Sequence, residues 1–149
     1  MLVYGQDERV AEWVGEQLMK DDEAFKPCKA IGLEKNNRLI AGVVYNKYEP
    51  NLLIEMSIAS LDKRWATRHN LVALFSYPFI QLNLKRVQAL CSDKDEGVQM
   101  FLKRLGFVHE GTHPAAYYDG GTAMSFGMLR NDCKWIKDAS TSGQGGLIL

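Results

Sequence analysis

Apolar residues along this chain follow two spacings in turn: stretches where they recur every three or four positions, and shorter continuous or alternating runs between them. The first spacing marks helices and the second strands. Val10, Trp13, Val14 and Leu18 share one helical face, with Asp7 in front as a capping residue. Leu71, Leu74, Phe75 and Phe79 share another over residues 68–82, where Pro78 deletes a backbone hydrogen bond and bends the last turn. Val98, Phe101, Leu102 and Leu105 stand at i, i+3, i+4 and i+7 of a third helix over residues 94–105. Asp93 with Glu96 reads as its capping box, and Gly106 as its left-handed stop.

The strand runs fall at 2–4, 30–34, 39–45, 52–59, 86–91, 107–111 and 123–130. Asn36 and Asn37 tolerate left-handed backbone, so the second and third runs form a hairpin. Pro50 breaks the pattern before residues 52–59, a long central strand. The last two strands are joined by a loop that holds Tyr117, Tyr118, Gly120 and Gly121. The predicted order is β-α-β-β-β-α-β-α-β-β, an α+β chain.

Composition narrows the class. At 149 residues with 46% hydrophobic positions, the chain suits one folded domain, expected over 1–137. Residues 138–149, rich in Ser and Gly and ending Leu147-Ile148-Leu149, read as a flexible tail. Its apolar end offers a second reading, docking on the body or on another subunit, so a homodimer stays open. Lys plus Arg equal Asp plus Glu at 18 each, which leaves no global field for nucleic acid or an anionic membrane. Cys28, Cys91 and Cys133 are odd in number and lack CxxC spacing, so reduced thiols are expected and no metal site. Without a leader-like start or a membrane-length apolar run, a cytoplasmic protein is the expectation.

Leu105-Gly106-Phe107 followed by Glu110-Gly111, preceded by Tyr77-Pro78-Phe79 and by Leu82-Asn83-Leu84-Lys85-Arg86-Val87, resembles the GCN5-related N-acetyltransferase (GNAT) family, nearest its ribosomal-protein-acetylating branch. The likeness spans residues 30–135. It implies a mixed, mostly antiparallel sheet flanked by helices, acetyl-CoA as cofactor, and an amine acceptor: a protein N-terminus or lysine, or a small amine. It also implies that the pantetheine arm lies along residues 52–59, with Ser57, Ile58 and Ala59 beside it, and that the diphosphate meets the loop after that strand.

That loop holds Lys63, Arg64, Trp65, Thr67, Arg68 and His69. Helix N-termini prefer acidic side chains, so a basic cluster there points to an anionic ligand, or else to a solvated charged surface. The resemblance places Asp62, Trp65 and Thr67 at the defining positions of the family's R/Q-x-x-G-x-G/A loop, and no glycine occurs from Val43 to Glu96. Asp95 falls where the family carries a cofactor-facing asparagine, and Leu102 where many members carry a tyrosine acid. Asp95 also suffices as a helix cap, and Trp65 as a buried anchor.

Glu55 lies inside an apolar strand, where desolvation raises a carboxyl pKa, and is the candidate general base. Ser57 shares its face. Tyr118, or Tyr117, is the candidate acid. His109 and His113 read as strand-surface residues. The expected activity is acetyl transfer from acetyl-CoA to a primary amine. The alternative is a non-catalytic interaction protein of the same fold.

Overall fold

In the computed structural model, which describes residues 1–136, seven strands form one sheet in the order β1-β2-β3-β4-β5-β7-β6. The strands are β1 (Leu2–Val3), β2 (Cys28–Lys35), β3 (Arg38–Glu49), β4 (Leu53–Ser60), β5 (Arg86–Ser92), β6 (Val108–His113) and β7 (Ala123–Leu129). Helices α1 (Asp7–Leu18), α2 (Arg68–Ser76) and α3 (Glu96–Leu105) sit between them. The element order and the mixed, mostly antiparallel sheet match the expectation. The predicted tail at 138–149 lies outside the described residues. Among the described residues no helix is long and apolar enough to cross a membrane.

The helices divide over the two faces of the sheet. Val10, Ala11 and Val14 of α1 bury against Ala30, Val44 and Ala59 on one face. On the other, Leu71, Leu74 and Phe75 of α2 and Leu102 and Leu105 of α3 meet Val43, Met56, Val87 and Phe126. Paired glycines seat α1: Gly32 stands opposite Gly42 in the β2–β3 ladder. A Cβ on Gly42 would lie 2.8 Å from Val14 Cγ2, so only glycine lets the helix come this close.

Turn chemistry behaves as read. Asn36 and Asn37 take φ of 55° and 64° in the β2–β3 hairpin, and Gly106 closes α3 at φ 112°. Pro78 ends α2 early, and Tyr77–Gln81 wind as a wider π turn. Leu74, four residues before the proline, receives no N–H from it; the buried Tyr45 hydroxyl donates to that carbonyl at 2.7 Å.

Two caps differ from the sequence reading. Asp95, not Asp93, caps α3, accepting from Val98 N at 3.1 Å. Asp7 is the first residue of α1 and its carboxylate accepts instead from Ala30 N at 2.9 Å, tying the helix to β2. A carboxylate near a helix start has several orphan donors in reach, and tertiary contacts choose among them.

Candidate active site

The parallel ladder between β4 and β5 is short. It pairs Leu53 with Arg86, Ile54 with Val87 and Glu55 with Gln88 and then ends, while β4 runs on to Ser60 and β5 to Ser92. Strands that continue beyond their last paired residues leave a wedge with backbone polar groups on its walls. A cavity of about 300 Å³ occupies this fork, lined by Met56, Ile58 and Ala59 of β4, Ala89 and Leu90 of β5, and the start of α3. A wider groove of about 530 Å³ lies elsewhere, between Arg9, Trp13, Asn37 and Leu61, and none of the predicted chemistry lines it.

Glu55 marks the closed end of the fork. Side chains alternate along β4, so Glu55 and Ser57 lie on the same face as Ala59, the α1 face, while Met56 and Ile58 join the opposite core. Glu55 is 4% exposed, yet it is not alone: Lys47 Nζ lies 3.3 Å from its Oε2. A bulge in β3 between Asn46 and Glu49 brings Lys47 there with φ of 54°. Asn46, directly opposite Glu55 in the ladder, is buried with Oδ1 unpartnered.

Tyr118 closes the same cluster from the β6–β7 loop. Lys20, just past the end of α1, donates to its hydroxyl at 3.0 Å. The Lys20 ammonium lies 4.4 Å from the centroids of both the Tyr118 and Phe25 rings, within cation–π reach of each. Burial raises the Tyr118 pKa, with help from the Glu55 charge, against Lys47 and a side-chain hydrogen bond with Ser57. Burial lowers that of Lys20, aided by the Lys47 ammonium and opposed by Glu55. Tyr117 packs on Tyr118 with centroids 4.8 Å apart and rings tilted by 36°, and burial above all pushes its phenol up to about 12. Its electrostatic neighbours include Cys91 and Asp95, at the open end of the fork.

The loop after β4 is largely self-satisfied. Asp62 accepts from Arg64 N at 2.7 Å and pairs with the Arg64 guanidinium at 2.5 Å. Ala66 N donates to Lys63 O, and Thr67 N to Trp65 O. Thr67 caps α2 through Asn70 N. Lys63 reaches across to Gly97 O at 3.2 Å and lines the cavity. Arg68 and His69 begin α2 on the exposed surface.

The fold therefore gathers the predicted residues into two groups. Glu55, Ser57 and Tyr118 meet at one end of β4; Lys63, Arg64, Thr67, Arg68 and His69 share the loop at the other. Ile58, Ala59 and Asp95 line the cavity between. Trp65 takes a different place: at 4% exposure its ring packs on Phe101 at 5.9 Å, so it anchors the loop and does not line the cleft with its indole. Its bulk is worth most as packing area, which is why the core takes it. Leu102 is buried on the cavity wall and supplies no proton.

Sequence reasoning missed Lys20, Lys47 and Asn46. Asn46 carried a signal, as the polar residue that ends the apolar run 39–45; the two lysines carried none.

Neither a family model nor a curated protein matches this sequence. Solved structures do match its shape. A mutant form of the spermidine/spermine N-acetyltransferase SpeG from Vibrio cholerae has a TM-score of 0.70 at 14% identity, over 93% of this chain and 98% of its own. A GCN5-related N-acetyltransferase from Brucella melitensis gives 0.67 at 15% identity, over 95% and 80%. Ard1 from Thermoplasma volcanium gives 0.66 at 15%, over 87% and 96%. The ribosomal-protein branch is not among these three. At such identities the likeness is one of architecture, and by it this chain has the fold of the GCN5-related N-acetyltransferases.

Proposed function

We propose that this protein is an acetyl-CoA-dependent N-acetyltransferase acting on a primary amine. One observation carries the reading: the β4–β5 ladder opens immediately beyond a buried glutamate, and the lining of the cleft starts at the next residue, Met56.

The cleft fits coenzyme A unevenly. Its pantetheine arm, an extended chain with amides, suits an apolar fork edged by strand backbone. The diphosphate finds fewer backbone donors, because the N–H groups of Arg64, Ala66 and Thr67 donate within the loop. Lys63 and the N-terminus of α2 stand beside this loop to meet it. When bound, acetyl-CoA supplies an acetyl thioester.

The chain's own residues then have separable roles. Glu55 accepts a proton from the acceptor's ammonium, directly or through one water, so that nitrogen can form the new bond to the acetyl carbon. Ser57 orients that nitrogen or water from the same face of β4. Tyr118, or Tyr117 beside it, returns a proton to sulfur as the carbon–sulfur bond breaks; a raised phenol pKa keeps it protonated for that task. Lys47 holds the Glu55 carboxylate in position.

The self-satisfied loop favours a second reading, a non-catalytic partner-binding protein. Thermal unfolding with and without acetyl-CoA separates the two. A ligand at a hundred times its Kd adds about 2.7 kcal/mol, enough for a shift of several degrees. A saturable shift together with amine-dependent release of coenzyme A thiol is the expected result. No shift at millimolar acetyl-CoA sinks the enzyme reading.

A further inference from the structure

We propose that the acceptor site takes a primary amine that also carries an anionic group, a carboxylate or a phosphate, and that Lys20 receives this group. The inference rests on the acetyltransferase reading for the identity of the site, and on the local charges for the rest.

Three charged side chains converge beneath the Tyr117–Tyr118 loop: Glu55, Lys47 and Lys20. Lys47 neutralises Glu55 at 3.3 Å. Among the described residues Lys20 forms no ion pair. The charges that act on it are Lys47, another ammonium, and Glu55, a carboxylate already engaged. The cluster thus carries one cation more than it has anions, and the spare one is Lys20.

Lys20 is also held in place. The Phe25 and Tyr118 rings both lie within 4.4 Å of its ammonium, and the Tyr118 hydroxyl accepts from it. An ammonium taken partly out of water, beside a second ammonium and lacking a carboxylate of its own, is a ready receptor for an anion. The Tyr118 hydroxyl that Lys20 bonds lies within the electrostatic reach of Glu55 and Lys47, which sets Lys20 beside the Glu55 face of β4. A ligand whose amine meets Glu55 would have its anionic group within reach of Lys20.

The same arrangement works against polyamines. Spermidine, which appears in the name of SpeG, has further ammonium groups next to the reacting one and would set one of them against Lys20. Like-charge contact is an effective means of rejecting a wrong partner.

The test is direct binding, by calorimetry on the full chain, of L-glutamate, phosphoethanolamine, ethanolamine and spermidine. Glutamate or phosphoethanolamine should bind at least about tenfold tighter than ethanolamine or spermidine, and which of the two wins tells carboxylate from phosphate. Lys20→Glu should invert the order in favour of spermidine. Lys20→Met, which keeps the apolar stem beside the rings, should remove the preference without inverting it. Equal or tighter binding of spermidine by the unaltered protein overturns the proposal, as does binding of none of the four, or an order that Lys20→Glu leaves unchanged. Acetyl-CoA thermal shift on the same samples reports separately. A shift without amine discrimination sinks only the Lys20 assignment, while absence of a shift sinks the enzyme reading.

Discussion

The two ends of β4 are built in opposite ways. At Ser60 the chain enters a loop whose groups satisfy one another over a few residues: Asp62 with Arg64, Lys63 with Ala66, Thr67 with Asn70. At Glu55 the partners come from far apart in sequence, with Lys47 from the β3 bulge, Lys20 from beyond α1 and Tyr118 from the β6–β7 loop. The first end is a local solution that leaves few donors to spare. The second is a non-local convergence of charge that a stable core alone would not require, since buried ion pairs are weak contributors to stability. On the proposed reading, the contrast assigns proton transfer to the Glu55 end and anchoring of the cofactor's diphosphate to the loop, which Trp65 packs in place.

The largest expected effect tests the Glu55 end. Glu55→Gln keeps the shape of the side chain and removes the base, so amine acetylation should fall by about 10²–10⁴-fold with the unfolding midpoint little changed. Full activity in thiol release would remove the chemical meaning of the cluster. At the other end, Trp65→Ala should cost about 3–5 kcal/mol in urea unfolding, as large aromatic truncations in cores do. A cost near zero would mean that the loop is not held by its indole.

A pH experiment sharpens the role of the aromatic roof. Tyr117 is pushed from 10.0 to about 12, with burial the largest cause, so the folded state binds the phenolic proton more tightly than the unfolded one. Its contribution to stability is present in full below about pH 10 and lost as pH rises toward about 12. Denaturant titrations at pH 9 and pH 11 should show a decline that Tyr117→Phe reduces; an equal decline in both proteins would place the phenol in water. The smallest effect belongs to Asp62→Asn, which loosens the clasp on the exposed Arg64. If the diphosphate is held by this loop, acetyl-CoA should bind more tightly by calorimetry, and weaker binding would show that Asp62 shapes the site and does not merely compete for Arg64.

Most of the architecture was readable from residue order. Seven strands and three helices follow from apolar spacing, and Asn36, Asn37 and Gly106 mark turns because few other residues take positive φ at little cost. Helix starts are where residue type alone misleads, because Asp7, Asp93 and Asp95 are alike by type and differ only in the tertiary setting that gives Ala30 N to Asp7 and Val98 N to Asp95. Glu55 and Tyr118 were legible as unusual residues, a carboxylate in an apolar strand and an aromatic in a glycine-bearing loop. Their meeting was not, because it depends on two loops folding over one face of the sheet. Trp65 was readable either as anchor or as cleft wall, and packing against Phe101 decided it.

The elements, their order, the glycine-free loop and a strand with a carboxylate inside it all follow from residue order, because they depend on periodicity and local backbone preference. Packing sets where the β4–β5 ladder stops, that Lys47 reaches Glu55, and that Lys20 meets Phe25 and Tyr118 with no ion pair among the described residues. Those facts join residues as far as 98 positions apart in the chain. Pairing of that kind is set by how helices and strands pack, and local sequence has no means of expressing it.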